Sequence, residues 1–192
     1  MSKKKLEGAG LRGQVAGKTS LSTVGKAGKG LTYRGYPIEV LSEKAKFEEV
    51  AYLLMYGSLP NKDEYENYSS KLISMRSLPN PILEVLERIP AYAHPMDVMR
   101  TGCSMLGNIE PEGEFSNQQE SADRILATMA SIIVYWYKYS HEGKKVNTSS
   151  DYETIGGHFL SLLHGDEPSE DHIRCLDTSL ILYAEHGFNA ST

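Results

Sequence analysis

The residues best placed to do chemistry lie at the end of the chain. A histidine, His186, follows Glu185 where an apolar helical segment ends. A run of small hydrogen-bonding residues comes after it, with Asn189, Ser191 and Thr192. A neutral imidazole and the amide N–H groups of a turn can together donate hydrogen bonds to carboxylate and keto oxygens. This turn therefore suits a small polycarboxylate. The alternative, that His186 only caps the helix, stays open on these residues alone.

The other histidines and the cysteines predict neither a metal site nor a covalent nucleophile. Two ligands on one helix face need a spacing of three or four residues, whereas His158 and His164 are six apart. Cys103 and Cys175 lie inside apolar helical patterns, where a buried thiol behaves as a small hydrophobic side chain. No serine stands in a GxSxG elbow. We expect no metal, and we expect His94 to cap a helix.

Composition and charge exclude several classes of protein. The chain has 192 residues and a net charge of −5, and no apolar run approaches the ~20 residues of a membrane-spanning helix. Two separated cysteines exclude a disulfide scaffold and suit a reducing compartment. Eight of the 20 basic residues fall in the first 34 positions, beside a single acid, Glu7. Such an arm could bind nucleic acid, acidic lipid or a polyanionic cofactor, but we interpret it as a solvated leader. We expect a cytoplasmic protein.

The remaining elements must position the histidine turn, and their periodicity is mainly helical. Two β-type runs, 19–24 and 31–34, flank a glycine-rich connection and predict a small hairpin. Helical spacing with proline and glycine boundaries then predicts the following helices: 47–56, 61–75, 82–89, one that begins at 94–97, 121–139, 155–164 and 169–185. The helix at 121–139 has an apolar face broader than one neighbour requires. That face comprises Ile125, Met129, Ile132, Ile133, Trp136 and Tyr137. We expect this helix to be buried on two sides or to lie at a subunit interface.

At its end the chain resembles the citrate synthase family. Residues 183–192 read Tyr-Ala-Glu-His-Gly-Phe-Asn-Ala-Ser-Thr, which resembles the family's first substrate-binding motif, (A/S)DHxxNAST. Other segments resemble the family in the same order, from about Gly10 onwards: 17–19, 33–36, 47–50, 57–60, 94–102 and 156–160. Within the family, the run 135–141, the Gly-Gly-His-Phe-Leu run and Ala-Glu-His in place of Ala-Asp-His are similar to 2-methylcitrate synthases.

The resemblance implies a mainly α fold, a citrate-synthase-like helical large domain with a short amino-terminal β-hairpin. It divides the chain into a basic mobile arm (1–16), the hairpin (17–36) and the amino-terminal part of the large domain (37–192). The implied reaction condenses oxaloacetate with an acyl-CoA, releasing CoA. Propionyl-CoA is favoured and acetyl-CoA is the alternative. The thioester is a substrate, and no further cofactor is expected.

The resemblance also assigns roles to residues. His186 and Asn189 would bind oxaloacetate, with a further contact around Lys71. The family's catalytic aspartate and two catalytic histidines belong to motifs that this sequence does not contain. No catalytic residue is therefore expected within the chain, whose small catalytic domain would lie beyond its end, and the chain alone should be inactive.

The implied partners are the two substrates and a second copy of the chain. The dimer would pack the helices at 94–106, 121–139 and 169–185, and neither nucleic acid nor membrane is expected. Two other functions stay open. One is a helical interaction module that kept the synthase scaffold and lost catalysis, and the other is nucleic-acid binding through the basic arm.

Overall fold

The computed structural model describes residues 17–23 and 30–187, and these form a mainly α-helical fold with a small sheet, as the sequence predicts. The basic arm, most of the glycine-rich connection and Asn189 lie outside the described residues. The elements follow one another in this order: β1 (Ser22–Thr23), β2 (Thr32–Tyr33), β3 (Tyr36–Pro37), α1 (Ile38–Lys44), α2 (Phe47–Tyr56), α3 (Lys62–Ser74), α4 (Asn80–Glu87), α5 (Pro95–Ile109), a 3₁₀ turn (Phe115–Asn117), α6 (Gln118–Glu142), α7 (Ile155–His164) and α8 (Glu170–Tyr183).

The sheet has the antiparallel order β1-β2-β3. Ser22 lies opposite Tyr33 in the first pair, which confirms the predicted hairpin. Tyr33 also lies opposite Tyr36, so a third strand follows that the sequence analysis did not predict. Arg34 and Gly35 join β2 to β3 with φ values of 50° and 92°. Positive φ at both central residues is typical of the tight two-residue turns that connect antiparallel strands.

Side-chain caps fix the predicted helix boundaries. At the start of α3, Asn61 Oδ1 accepts from the Glu64 amide at 3.0 Å, and Glu64 Oε2 accepts from the Asn61 amide at 2.8 Å. This confirms the capping box. At the start of α5, His94 Nδ1 accepts from the Met96 amide at 3.2 Å, which confirms His94 as a cap. Helix α6 ends at Gly143 in the left-handed conformation, as expected.

Helix α6 lies between two hydrophobic cores. Ala127 and Ala130 belong to the core that α1, α2 and α3 share. Ile132 and Trp136 belong to the core that α4 and α5 share. Helix α6 is therefore buried on two sides, although Ile125 and Tyr137 of its predicted apolar face are exposed. At the α5 contact there is no room for a side chain on Gly102, because a Cβ there would meet Ile132 Cγ2 at 2.6 Å.

The two cysteines are less buried than the sequence predicts. Cys103 is half-buried, but Cys175 is exposed. The expectation for Cys175 was wrong because α8 turns only one face towards its neighbours α1, α2 and α7, and Cys175 lies on the other. Within the described ranges, no helix is both long enough and apolar enough to cross a membrane.

Candidate functional site

The turn that carries His186 follows α8 directly and is anchored to the sheet. We call residues 184–187 the α8 turn. Ser169 is the N-cap of helix α8, and its hydroxyl accepts a hydrogen bond from the His172 amide. The helix ends at Tyr183. At this end the Tyr33 hydroxyl of β2 lies 3.1 Å from the carbonyl oxygen of Ile181, 3.3 Å from that of Leu182 and 3.2 Å from that of Glu185.

The same hydroxyl accepts a hydrogen bond from the Glu185 amide at 3.2 Å. Tyr33 is fully buried. Burial raises the pKa of its phenol, so the hydroxyl keeps its proton and remains a donor. Tyr33 of strand β2 thus fixes the path of the backbone after the end of α8.

A second set of contacts closes the turn around the histidine. Glu185 Oε1 accepts from the Ser22 hydroxyl of β1 at 3.2 Å and from the Gly187 amide at 2.5 Å. Gly187 has a φ of +78°, a conformation that glycine adopts without strain. Both neighbours of His186 are therefore held, while its own side chain is exposed. The backbone that carries this exposed imidazole is therefore in place before a ligand binds.

Lys71 lies elsewhere, in an ion-pair network. Its ammonium lies 2.6 Å from Glu120 Oε2 and 2.8 Å from Asp123 Oδ2, and it joins α3 to α6. Burial alone would lower the pKa of Lys71, but the hydrogen bonds to Asp123 and Glu120 outweigh burial and raise it. The hydroxyls of Tyr56 and Tyr68 also donate to Asp123. None of these contacts brings Lys71 to the α8 turn, and its role as a substrate contact remains a prediction.

A cleft in the described part of the chain also lies apart from the turn. It has a volume of about 700 Å³ and lies among α3, α5 and α6. Met75, Cys103 and the Arg124–Glu110 ion pair line it, and neither His186 nor Lys71 does. In residues 17–23 and 30–187, no group of three or more histidine, cysteine or acidic side chains could hold a metal ion.

A buried polar network was missed by the sequence analysis. Arg76 is fully buried, and its guanidinium donates to the carbonyl oxygens of Ser150 and Tyr152. Glu48 is also fully buried, and its Oε1 accepts from the Ile155 amide at 2.6 Å. Burial raises the pKa of Glu48 to about 7. These two side chains hold the segment that leads into α7.

His158 belongs to the same network. Its Nε2 lies 2.9 Å from the Ser131 hydroxyl, and its Nδ1 lies 2.7 Å from the Ser150 hydroxyl. Burial, and then the charge of Arg76, lower the pKa of His158 to about 3. Both ring nitrogens are occupied and the ring stays neutral, so His158 is a structural residue.

Comparisons with known proteins identify the family. The sequence pattern described as "Citrate synthase, C-terminal domain" matches residues 10–192. The chain is 62% identical over 189 residues to 2-methylcitrate synthase of Shewanella oneidensis, covering 98% of this chain and 50% of that protein. It is 35% identical over 191 residues to 2-methylcitrate synthase 1 of Corynebacterium glutamicum, covering 95% and 50%. The chain thus spans about half the length of the curated relatives it matches.

Solved structures of citrate synthases are also similar to this chain. The citrate synthase of Thermotoga maritima superposes with a TM-score of 0.80 at 31% identity, over 95% of this chain and 48% of that one. The citrate synthase of Thermoplasma acidophilum, in a ternary complex with carboxymethyl coenzyme A and oxaloacetate, gives 0.85 at 21% identity, over 94% and 48%. At that identity the likeness shows the fold alone. Because the family's pattern covers all but the first nine residues, and relatives and structures match nearly the whole chain, this chain belongs to the citrate synthase family.

Proposed function

We propose that the protein condenses oxaloacetate with an acyl-CoA, with propionyl-CoA favoured, to give 2-methylcitrate and CoA. The observation that carries this proposal is the 62% identity to a 2-methylcitrate synthase over 98% of the chain. The Thermoplasma acidophilum structure, which holds oxaloacetate together with a coenzyme A derivative, supports this pair of substrates.

The reaction defines what the chain has to supply. A base removes the proton on the α-carbon of the thioester, and the resulting enol attacks the keto carbon of oxaloacetate. The keto oxygen takes up a proton, and water then cleaves the C–S bond so that coenzyme A leaves as the thiol. Charge develops on the keto oxygen during attack, so a donor fixed beside that oxygen lowers the barrier.

In this proposal His186 supplies a donor to oxaloacetate. Its imidazole is exposed and its backbone is held on both sides, so little backbone ordering is needed when the ligand arrives. Asn189 is proposed as a second contact and Lys71 as a third. The base and the catalytic acids are assigned to the half of the enzyme that this chain does not span. Coenzyme A enters as the thioester, and no other cofactor or metal is invoked.

A chimera tests the activity. Residues 1–192 are joined to the part of the Shewanella oneidensis relative that the alignment leaves unmatched, and release of the CoA thiol is followed with oxaloacetate and either propionyl-CoA or acetyl-CoA. We expect release with both thioesters, a higher kcat/KM for propionyl-CoA, and no release by the 192-residue chain alone. A chimera that folds with the helicity of the intact relative but releases no CoA would contradict the proposal and favour an interaction module.

A cytoplasmic homodimer is proposed as the working form. Large apolar side chains are exposed on the three helices that the family resemblance assigns to the subunit contact. They are Met96 on α5, Ile125 and Tyr137 on α6, and Leu182 and Tyr183 on α8. Burying such a set stabilises association. Light scattering after size exclusion should give twice the subunit mass for the chimera, and a monomer at micromolar concentration would contradict a dimer.

A further inference from the structure

The end of α8 has a cap that the helix itself does not supply. The last carbonyl groups of a helix have no intrahelical donor, and a glycine just beyond the end commonly solves this with a left-handed turn. Here Ala184 follows Tyr183 in the right-handed conformation, so that solution is absent at this position. The Ala184 amide donates to the Ile181 carbonyl oxygen at 3.3 Å, and the hydroxyl of Tyr33 lies within 3.3 Å of the carbonyl oxygens of both Ile181 and Leu182.

The cap is rigid because of where Tyr33 comes from. Strand β2 is paired on both sides, with β1 and with β3, and the ring of Tyr33 is fully buried in the core. A phenol in that setting has one accessible position for its oxygen. That oxygen accepts from the Glu185 amide at 3.2 Å, so it fixes the first residue of the exit as well as the helix end.

The carboxylate of Glu185 extends the same restraint past the histidine. It receives one hydrogen bond from Ser22 on β1 and one from the Gly187 amide. An aspartate at position 185 would be one methylene shorter, and a glutamine would replace the negative charge with an amide. Hydrogen bonds to an ionised acceptor are about twice as strong as neutral ones. Length and charge at position 185 therefore both affect the turn.

We infer that Tyr33 and Glu185 are positioning residues that hold His186 in the orientation needed to bind oxaloacetate. The inference rests on the proposed function, because it assigns a purpose to the geometry of a substrate-binding turn. It makes the amino-terminal sheet part of the binding site although no sheet residue need touch the ligand.

The first arm of the test measures the turn itself in the 192-residue chain. Amide hydrogen exchange is compared among the parent, Tyr33→Phe, Glu185→Asp, Glu185→Gln and Tyr135→Phe. Tyr135→Phe is the matched control, because Tyr135 is also buried and its hydroxyl donates to Glu87 far from the turn. We expect exchange to rise about tenfold at the Glu185 amide in Tyr33→Phe and at the Gly187 amide in Glu185→Gln, with no change in the control.

The second arm measures binding in the chimera. We expect Tyr33→Phe and Glu185→Gln to raise the KM for oxaloacetate about tenfold. The KM for propionyl-CoA should stay within about twofold of the parent, since remote sites act independently. Glu185→Asp should give an intermediate value, because the charge is kept and only the reach is lost. Tyr135→Phe should lower the melting temperature without moving either KM.

The outcomes separate the inference from the proposed function. Unchanged exchange in Tyr33→Phe would overturn the inference whatever the kinetics show. Raised exchange with an unchanged KM would overturn it too, provided that His186→Ala in the same chimera raises the KM for oxaloacetate. If His186→Ala leaves that KM unchanged, the proposed role of the turn fails, and the functional part of the inference fails with it. Raised exchange together with a selectively raised oxaloacetate KM supports both.

Discussion

Two histidines of this chain occupy opposite environments. His158 is fully buried and both of its ring nitrogens are within hydrogen-bond distance of serine hydroxyls. His186 is exposed, and it is the residues beside it that are held. A histidine whose nitrogens are already occupied stabilises the fold, whereas one with a fixed backbone and a free ring is available to a ligand. The comparison predicts that substitutions near His158 cost stability and that substitutions at His186 cost binding.

The largest expected effect lies at Arg76. Replacing it with methionine keeps much of the volume but leaves the carbonyl groups of Ser150 and Tyr152 without their donor. It also removes the positive charge that Glu48 experiences. We expect the free energy of unfolding to fall by about 3–5 kcal/mol, because two carbonyl groups lose a charged donor. Urea denaturation followed by circular dichroism measures this loss. Arg100→Met is the matched control, because Arg100 is exposed. Equal losses in both variants would refute a structural role for Arg76.

His158→Leu should have the next largest effect. The substitution removes the imidazole partner of the half-buried Ser150 hydroxyl. It also removes one of three partners of the buried Ser131 hydroxyl, which keeps the carbonyl oxygens of Arg76 and Thr148. An unsatisfied buried polar group costs about 1–3 kcal/mol, and we expect a loss in that range. Denaturation of the exposed His164→Leu variant provides the reference. A loss no larger than that of the reference would show that the two serines find other partners.

The pH dependence of stability distinguishes buried Glu48 from buried His158. In the unfolded chain His158 binds a proton below about pH 6.5, whereas in the folded chain its pKa is about 3. As the pH falls from 6.5 to 3, His158 therefore lowers the free energy of unfolding. Glu48 acts in the opposite direction: the fold keeps its proton up to about pH 7 and the unfolded chain only up to about 4.5. Its contribution to stability is therefore lost as pH rises from 4.5 to 7.

The two slopes oppose each other between pH 4.5 and 6.5. Relative to the parent, Glu48→Gln should lose stability on acidification at about 1.4 kcal/mol per pH unit, and His158→Gln should gain at about the same rate. Denaturation midpoints at four pH values across this window measure both slopes. Parallel curves for parent and variants would show that neither group titrates differently in the folded and unfolded states.

The smallest expected effect on stability lies at His186. Because its ring is exposed, His186→Ala should change the free energy of unfolding by less than about 0.5 kcal/mol. A loss comparable to that of His158→Leu would remove the distinction between the two histidines. Thermal unfolding of both variants side by side makes this comparison under identical conditions.

Local signals in the sequence predicted the elements well. The capping pattern of Asn61 and Glu64 predicted the start of α3. The apolar periodicity of α6 predicted that this helix is buried on two sides. His186 was found through the motif around it. These features depend on residues within a few positions of each other, which a sequence displays directly.

The partners of distant residues could not be predicted in the same way. Nothing beside Tyr33 in the sequence indicates that its hydroxyl meets the end of α8, since the two are brought together only when the sheet packs on that helix. Arginine is usually a surface residue. The burial of Arg76 depends on the segment 150–152, which packs over it in the fold. The strand Tyr36–Pro37 has two residues, too few to show an alternating pattern.

The central claim is that the turn after α8 binds oxaloacetate through His186. The most direct test is the KM for oxaloacetate of the chimera carrying His186→Ala, measured beside the parent chimera at saturating propionyl-CoA. We predict a rise of at least about tenfold, with a melting temperature equal to that of the parent. An unchanged KM in a folded, active variant would contradict the claim.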